Sequence, residues 1–282
     1  MDLPSFVRQT SGRGGLPRFE ITTPLAQAEV YLHGGHVTHF QPTGARPVLF
    51  TSRQSFYESG CPIRGGVPVI FPWFGAAKEP AHGTARLRSW EAETVRELAD
   101  GRVELVLRLQ SEAPESWVLR HRILVGRELT LALEIANTGS EPFRCEEALH
   151  TYFAISSIHD IEVRGLENTE YLTVIEDAPR KRQPALPIRF QGETDRVYVN
   201  AGGAYEILDP GFARCIRIET AGSKSAVVWN PWIEKSKRLA DFDDDEWPSM
   251  VCVETGNIAE NALDIPAGAT HRSQTVISLV SL

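Results

Sequence analysis

Apolar and polar side chains alternate along much of this chain, and this two-residue period is the strongest constraint on its fold. Val103, Leu105, Leu107 and Leu109 share one face of a segment, and residues 129–135 repeat the pattern with Leu and Ile. Successive side chains of a β-strand point to opposite faces, so each segment predicts a strand with one buried face. Glycine-containing turns separate the segments. The pattern therefore predicts an antiparallel meander.

Short β-type segments of the same kind continue towards both ends of the chain. The predicted strands outside the meander are Arg18–Thr22, Ala28–Leu32, Val37–Gln41, Val48–Phe50, Phe143–Ile155, Tyr171–Val174, Arg196–Val199, Tyr205–Leu208, Cys215–Ile218, Ala226–Trp229, Met250–Val253 and His271–Leu279. No segment of ten or more residues has a convincing 3.6-residue period, so very little helix is expected. We predict an all-β fold, one large antiparallel sandwich over residues 18–282, with residues 1–17 as a polar lead. The segment 176–193 is expected to be a long connection within that domain.

The charge balance argues against two classes of partner. The 29 basic and 37 acidic residues give a formal net charge of −8, which disfavours binding to nucleic acid or to an anionic membrane. We find neither an apolar run long enough for a membrane span nor the apolar core of a signal peptide. The four cysteines are scattered without a Cys-x-x-Cys pair, which is typical of reduced thiols. We expect a cytoplasmic protein, monomeric, with no metal site.

The segment from Cys61 to Trp90 combines arginines with turn residues. It contains Arg64, Arg86 and Arg88, together with His82, among glycines and prolines that favour tight turns. Planar guanidinium groups bind doubly charged oxyanions through paired hydrogen bonds. This composition predicts a pocket for a small phosphorylated molecule. A tight loop with surface arginines is the alternative when the segment is considered alone.

Further along the chain, several positions are unusual for their surroundings. His150 lies within an apolar segment and Glu254 ends another, although burying an unpaired carboxylate is costly. Asp195 precedes a predicted strand, and Trp229 and Trp232 flank a turn where an indole can stack on a sugar. The structural alternatives are a hydrogen-bonded core histidine, a turn aspartate and core tryptophans. The histidine and the glutamate together can supply a general acid and a general base.

Two charged segments near the C-terminus are interpreted as surface features. The acidic run 241–246 lacks the ligand spacing and the central glycine of an EF-hand loop. Lys235, Lys237 and Arg238 follow the tryptophan turn. Both segments are expected to be solvated and to have no part in chemistry.

Six motifs together resemble the aldose 1-epimerase (galactose mutarotase-like) superfamily and, within it, the hexose-6-phosphate mutarotase branch. They occur in the family's order over roughly 200 residues. The motifs are RGGVPVIFPWFG (64–75), HGTAR (82–86), ALHTYF (148–153), ETDRVY (193–198), VVWNPW (227–232) and VCVETGN (251–257). The resemblance implies a β-supersandwich with its site on the concave face of a large sheet. It also implies an isomerase that interconverts the α and β anomers of a hexose 6-phosphate, first of all glucose 6-phosphate, without a cofactor.

The resemblance implies roles for the residues that match these motifs. His150 would be the general acid that protonates the ring oxygen, and Glu254 the base that takes the proton of the C1 hydroxyl. Asp195 would hydrogen-bond the sugar hydroxyls. Trp229 is the aromatic candidate for contact with the sugar.

The resemblance further implies a phosphate site. Arg64 and Arg86 would bind the 6-phosphate, with His82 close by. Ala81 departs from the branch, which often has glutamine there, and this puts the substrate preference in question. Three other functions stay open: a mutarotase for unphosphorylated aldoses such as galactose, a non-catalytic carbohydrate-binding protein, and a glycoside hydrolase with paired carboxylates.

Overall fold

The computed structural model describes residues 3–112, 116–176 and 179–282, and these are built mainly of β-strands. The first eleven strands are β1 (Val7–Ser11), β2 (Pro17–Thr22), β3 (Ala26–Tyr31), β4 (His36–Pro42), β5 (Val69–Ile70), β6 (Glu91–Glu97), β7 (Val103–Gln110), β8 (Trp117–Val125), β9 (Leu129–Asn137), β10 (Phe143–Cys145) and β11 (Glu147–Leu149). The others are β12 (Tyr152–Ala154), β13 (Glu162–Arg164), β14 (Glu170–Leu172), β15 (Arg180–Arg182), β16 (Thr194–Val199), β17 (Ala204–Asp209), β18 (Arg214–Ala221), β19 (Ser225–Asn230), β20 (Met250–Asn257), β21 (Leu263–Ile265) and β22 (Thr270–Ser281).

Helical structure is limited to short pieces. The α-helix α1 spans Trp232–Ser236, directly after the turn that follows β19. Single 3₁₀ turns occur at Arg13–Gly15, Ala85–Leu87, Pro210–Phe212, Trp247–Ser249 and Ala259–Asn261. Across the described ranges, no helix is long and apolar enough to cross a membrane.

Two eight-stranded antiparallel sheets form the body of the molecule. The first sheet has the order β15–β14–β16–β19–β20–β11–β5, and β12 also pairs with β20. The second sheet has the order β13–β17–β18–β22–β9–β8–β7–β6. The strands β7, β8 and β9 of this sheet are the meander that the alternation predicts, and β6 extends the sheet at its edge. A four-stranded sheet, β1–β2–β3–β4, and the pair β10–β21 complete the fold.

The main core lies between the two large sheets. Leu107 of β7 and Val251 and Val253 of β20 are fully buried and belong to one hydrophobic cluster. Burying such a side chain stabilises the folded state by about 1.5–3 kcal/mol. Between the sheets, the hydroxyls of Thr255 on β20 and Thr275 on β22 are hydrogen-bonded at 2.6 Å. The prediction of a large antiparallel sandwich is confirmed.

The N-terminal segment differs from the expected polar lead. Val7–Ser11 forms an edge strand that pairs with Pro17–Thr22, and Val7 is buried opposite Ile21. The backbone N–H of Arg13 donates to the Tyr31 hydroxyl at 3.0 Å. A single buried valine does not make a visible alternation, so the sequence pattern did not reveal this strand. Residues 7–11 are therefore a strand of the sheet β1–β2–β3–β4, where the sequence predicts a polar lead.

The predicted continuous strand Phe143–Ile155 is divided into β10, β11 and β12. The chain bends after β11, where the Thr151 N–H donates to the Leu149 carbonyl at 2.9 Å. The His150 N–H is instead bonded to the Pro68 carbonyl at 3.0 Å. His150 therefore occupies a break between two strands and not the middle of one.

Glu147 is a buried carboxyl group between the two sheets. Its Oε1 accepts a hydrogen bond from Asn257 at 2.7 Å, whereas Oε2 is buried and has no partner in the described structure. Burial raises the pKa of Glu147 to about 7, although the hydrogen bonds from Asn257 and Ser273 oppose the shift. A carboxyl group of this kind stabilises the fold when protonated and loses that advantage when it ionises.

Glu147→Gln is therefore expected to remove a pH dependence of stability. Because the pKa is raised in the folded state, the contribution of this carboxyl group to the free energy of unfolding is greatest below about pH 4.5, its ordinary pKa. That contribution falls as the pH rises to about 7, the pKa in the folded protein. The loss is at most about 3 kcal/mol. Urea unfolding between pH 5 and 9 measures it: the wild-type free energy of unfolding should fall over this range more steeply than that of the variant. Parallel curves for the two proteins would contradict the assignment.

Candidate active site

Four strands of the first sheet each contribute one residue to a row across one of its faces. Asp195 of β16 lies opposite Trp229 of β19, Trp229 lies opposite Cys252 of β20, and Cys252 lies opposite Tyr152 of β12. Directly paired residues on neighbouring strands point to the same face. The strand pairing therefore places a carboxylate, an indole, a thiol and a phenol side by side, away from the main core.

His150 and Glu254 form the next row of this face. Glu254 lies two residues from Cys252 on β20, so the strand period points both side chains to the same face, and His150 reaches this face from the break before β12. His150 Nε2 lies 3.3 Å from Glu254 Oε1. The imidazole stacks on the Tyr152 ring at 4.8 Å between centroids, with an angle of 10° between the planes. This stacking orients the imidazole towards the carboxyl group.

The His150–Glu254 pair is almost sealed from water. The histidine side chain is 9% exposed and the glutamate side chain 1%. His150 Nδ1 and Glu254 Oε2 are buried without a hydrogen-bond partner in the part of the chain that the structure describes. Buried polar atoms are normally paired, so unsatisfied atoms on two facing side chains are typical of a functional site.

Burial also sets the protonation of this pair. It lowers the pKa of His150 well below the usual value, and the positive charges of Arg86 and Arg64 act in the same direction. It raises the pKa of Glu254 well above the usual value, and the negative charge of Asp195 adds to this shift. Both shifts favour the uncharged forms because a low dielectric penalises charge. One proton can therefore be shared between His150 Nε2 and Glu254 Oε1.

Arg64 is held at the edge of this face by two partners. Its Nε and Nη2 lie 3.1 Å from the two carboxylate oxygens of Asp241, and Nη1 donates to the Tyr152 hydroxyl at 3.1 Å. A guanidinium that faces a carboxylate through two nitrogens is fixed in position as well as neutralised. Asp241 belongs to the acidic run 241–246, and it is buried. The interpretation of that run as a solvated loop is wrong for Asp241.

Arg86 differs from Arg64 in having no acidic partner. It lies in the 3₁₀ turn Ala85–Leu87, and its Nη2 donates to the Ala81 carbonyl at 2.7 Å. Its Nε is buried and unpaired, and among the described residues no carboxylate forms an ion pair with it. Burial lowers the pKa of Arg86 to about 10, and Arg64 contributes to that shift. A buried guanidinium without an acidic partner is well suited to bind an anion.

His82 lies between the arginines and the His150–Glu254 pair. Its φ angle of 64° is unusual for a residue other than glycine, and its ring is 5.7 Å from that of His150. Nδ1 is 3.4 Å from the backbone N–H of Gly75, which donates to it. Burial, Arg86 and Arg64 lower the pKa of His82 to about 3. The imidazole is therefore neutral at physiological pH.

Lys235 of α1 reaches the opposite end of the row. Its Nζ lies 3.4 Å from Asp195 Oδ2 and 3.0 Å from Glu193 Oε1, and 5.8 Å from the centre of the Trp229 ring. The interpretation of Lys235 as part of a solvated face is wrong, whereas Lys237 is exposed as expected. Burial raises the pKa of Asp195, and the ammonium group of Lys235 opposes that shift.

The structure thus brings the sequence-predicted site residues together at one face of the first sheet, which we call the basin. They are His150, Glu254, Asp195, Trp229, Arg64, Arg86 and His82. Arg88, from the same segment as Arg64 and Arg86, is not among them: its Nη2 binds the Gln110 carbonyl at 2.9 Å and Glu112 at 3.1 Å. Sequence reasoning missed Tyr152, Asp241 and Lys235. The first lies within the ALHTYF motif and could have been selected there.

A family model described as "Aldose 1-epimerase" matches residues 17–278. A protein of Cenchrus ciliaris named "Putative glucose-6-phosphate 1-epimerase" is 33% identical over 268 residues, which cover 90% of this chain and 81% of the relative. A protein of the same name from Escherichia coli is 33% identical over 262 residues, covering 90% of this chain and 87% of the relative.

A solved structure gives the same result for the fold. The crystal structure of a "putative mutarotase (YeaD)" from Salmonella typhimurium superposes with a TM-score of 0.92 at 29% identity. The match covers 100% of this chain and 96% of the other. The similarity therefore includes both large sheets.

Proposed function

The chain belongs to the aldose 1-epimerase family, and we propose that it interconverts the α and β anomers of a hexose 6-phosphate, with glucose 6-phosphate as the preferred substrate. Family membership gives the class, an isomerase that acts at the anomeric carbon of an aldose. The names of the Cenchrus ciliaris and Escherichia coli relatives support the phosphorylated substrate. The arrangement around Arg86 is the structural observation that carries the proposal.

Arg86 supports a phosphate site because its charge is uncompensated. A buried cation without a partner costs free energy, and an anion delivered by the substrate removes that cost. Arg64 lies close enough to depress the pKa of Arg86, so both guanidiniums contribute to one positive region. Asp241 fixes Arg64 and cancels much of its charge, which leaves Arg86 as the main electrostatic contact for the phosphate dianion.

The His150–Glu254 pair supports acid–base opening of the sugar ring. We assign to the Glu254 carboxylate the removal of the O1 proton, and to the His150 imidazolium the protonation of the ring oxygen O5. The C1–O5 bond breaks and a C1=O1 double bond forms. After rotation about C1–C2, closure on the other face of the aldehyde reverses both proton transfers. The pair has zero net charge before and after opening, so the buried basin gains no charge in the reaction.

Phosphate binding and proton transfer are coupled in this scheme. Burial favours the imidazole–carboxyl form of the pair in the free basin, and Arg64 and Arg86 depress the pKa of His150 further. A phosphate dianion beside these arginines offsets their charge and so favours the imidazolium. The separation of 3.3 Å between Nε2 and Oε1 allows the proton to pass directly from the glutamic acid to the histidine.

The proposal is tested by measuring anomer exchange by NMR. The H1 resonance of the α anomer is inverted selectively, and transfer to the β anomer is followed with and without a catalytic amount of protein. We expect exchange of glucose 6-phosphate well above the spontaneous rate, and a much lower kcat/KM for glucose. Equal kcat/KM values for both sugars would favour a mutarotase of free aldoses. Saturable binding without exchange would favour a carbohydrate-binding protein.

Lys235→Gln is expected to weaken the contact between Asp195 and the sugar. Half-exposed ion pairs contribute about 0.2–1 kcal/mol, so we expect kcat/KM to fall by about 1.4- to 5-fold, mostly through KM. Because Lys235 lowers the pKa of Asp195, the acidic limb of the pH profile should move to higher pH. Lys235→Arg should restore the profile, and Lys237→Gln, at the exposed residue directly after α1, is the matched control. An unchanged acidic limb in Lys235→Gln would contradict this role.

A further inference from the structure

Cys252 gives the basin a third potential metal ligand. Cys252 and Glu254 are two residues apart on β20, so their side chains leave the strand on the same face. The ligand atoms of Cys252, Glu254 and His150 all lie within 4.8 Å of one another, and all three residues are buried. Over the described ranges, no other set of three His, Cys, Asp or Glu side chains brings its ligand atoms this close.

The three donors match the chemistry of zinc. Zn²⁺ binds thiolate sulfur at about 2.3 Å and imidazole nitrogen or carboxylate oxygen at about 2.0–2.2 Å, usually with tetrahedral geometry. Ligand atoms around such an ion are about 3.5 Å apart. His150 Nε2 and Glu254 Oε1 already lie at 3.3 Å. Side-chain adjustment of about 1 Å is therefore sufficient to bring the sulfur into coordination.

Both negative and positive side chains lie near His150, Cys252 and Glu254, and their effects on a bound cation partly cancel. A thiolate and a carboxylate carry two negative charges, which a divalent cation neutralises. Asp195 acts on both Cys252 and Glu254 and adds a further negative charge. Arg86 is the opposing cation, whereas the charge of Arg64 is balanced by Asp241. This balance favours a reversible site and not a permanently occupied one.

We propose that His150, Cys252 and Glu254 form a reversible site for a thiophilic divalent cation, represented by Zn²⁺, and that the bound ion inhibits the enzyme. Binding replaces the proton of the Cys252 thiol, which is released to solvent together with any proton on Glu254, and no electron is transferred. Inhibition follows because the ion occupies the nitrogen and the oxygen that carry protons in ring opening. This last step rests on the proposed function, whereas cation binding does not.

Binding is tested with Co²⁺ as a spectroscopic substitute for Zn²⁺, and with Zn²⁺ in competition with a chromophoric chelator. Wild-type protein should take up one ion per chain and show a thiolate-to-cobalt charge-transfer band in the near ultraviolet. Cys252→Ala should lose the band and bind Zn²⁺ at least tenfold more weakly, since losing even an outer-shell partner typically costs about 10- to 100-fold. Cys145→Ala, which removes another buried thiol, should behave as wild type. Circular dichroism confirms that each variant is folded, and Cys252→Ser provides a second, more conservative variant.

Inhibition is measured within each protein, as the ratio of anomer exchange with and without Zn²⁺. Wild type should lose most of its exchange and recover it when EDTA is added, and Cys252→Ala should require at least tenfold more Zn²⁺ for the same loss. Absence of the cobalt band in wild type, or equal zinc affinity in wild type and Cys252→Ala, would overturn the site whatever the activity shows. A wild-type band without inhibition would overturn the inhibitory role alone.

Discussion

Replacing His150 with Ala, or Glu254 with Gln, is expected to reduce catalysed anomer exchange of glucose 6-phosphate by about 10²- to 10⁴-fold, the usual contribution of a general acid or base. Each change removes one of the two groups between which the proton moves in ring opening. The two losses should be far from additive, because either group alone lacks a partner. Exchange spectroscopy with substrate at saturation measures the effect on kcat.

Controls for this prediction come from the same residue types at exposed positions. His159→Ala and Glu260→Gln lie outside the basin and should leave exchange unchanged. Glu254→Gln retains the shape of the side chain and removes an unfavourable buried acid, so the variant is expected to fold. If either His150→Ala or Glu254→Gln retained wild-type kcat while folded, the acid–base assignment would be wrong.

Arg86→Met is expected to separate phosphorylated from free sugars. Methionine keeps much of the apolar stem and removes the charge that carries the phosphate site. A hydrogen bond to a charged group contributes about 1.5–3 kcal/mol, so kcat/KM for glucose 6-phosphate should fall by about 10- to 150-fold. The kcat/KM for glucose should scarcely change. Steady-state rates with both sugars give the comparison.

Arg88→Met is the matched control, because Arg88 lies in the same segment but interacts with Gln110 and Glu112 at the surface. It should leave both substrates unaffected. An equal loss for glucose and glucose 6-phosphate in Arg86→Met would mean that this arginine supports the basin as a whole and does not recognise the phosphate.

Much of the fold could be predicted because its cause is local. The two-residue period of β7, β8 and β9 is visible in the sequence, since one face of each strand packs in the core. The strand β1 has a single buried residue, Val7, and its position depends on pairing with β2, which the sequence does not display. The break at His150 likewise depends on a hydrogen bond to Pro68, which is distant along the chain.

The site was predictable to the extent that its residues lie in recognisable motifs. Asp241 and Lys235 lie in charged segments whose composition is that of a solvated surface. Their partners, Arg64 and Asp195, are 177 and 40 residues away along the chain. Only the folded sheets and α1 bring them together. Long-range charge pairing of this kind carries no local pattern, which explains why both residues were misinterpreted.

The protonation of the basin is also a property of the folded state. Neither burial nor the nearby arginines can be read from the segments that contain His150 and Glu254. In the structure, burial favours the neutral form of both groups, and the arginines depress the pKa of His150 further, whereas the resemblance alone suggests a ready acid and a ready base. In the proposed mechanism, the charge of a bound phosphate would favour the imidazolium of His150 and so reconcile the two descriptions.

The central claim is that one substrate spans Arg86 and the His150–Glu254 pair. A crystal structure with 1,5-anhydroglucitol 6-phosphate tests it directly, because this analogue has no O1 hydroxyl and cannot open. We predict a phosphate oxygen within hydrogen-bond distance of Arg86, and the ring oxygen facing the imidazole of His150. A phosphate bound away from both arginines, or a ring oxygen directed away from that imidazole, would contradict the account.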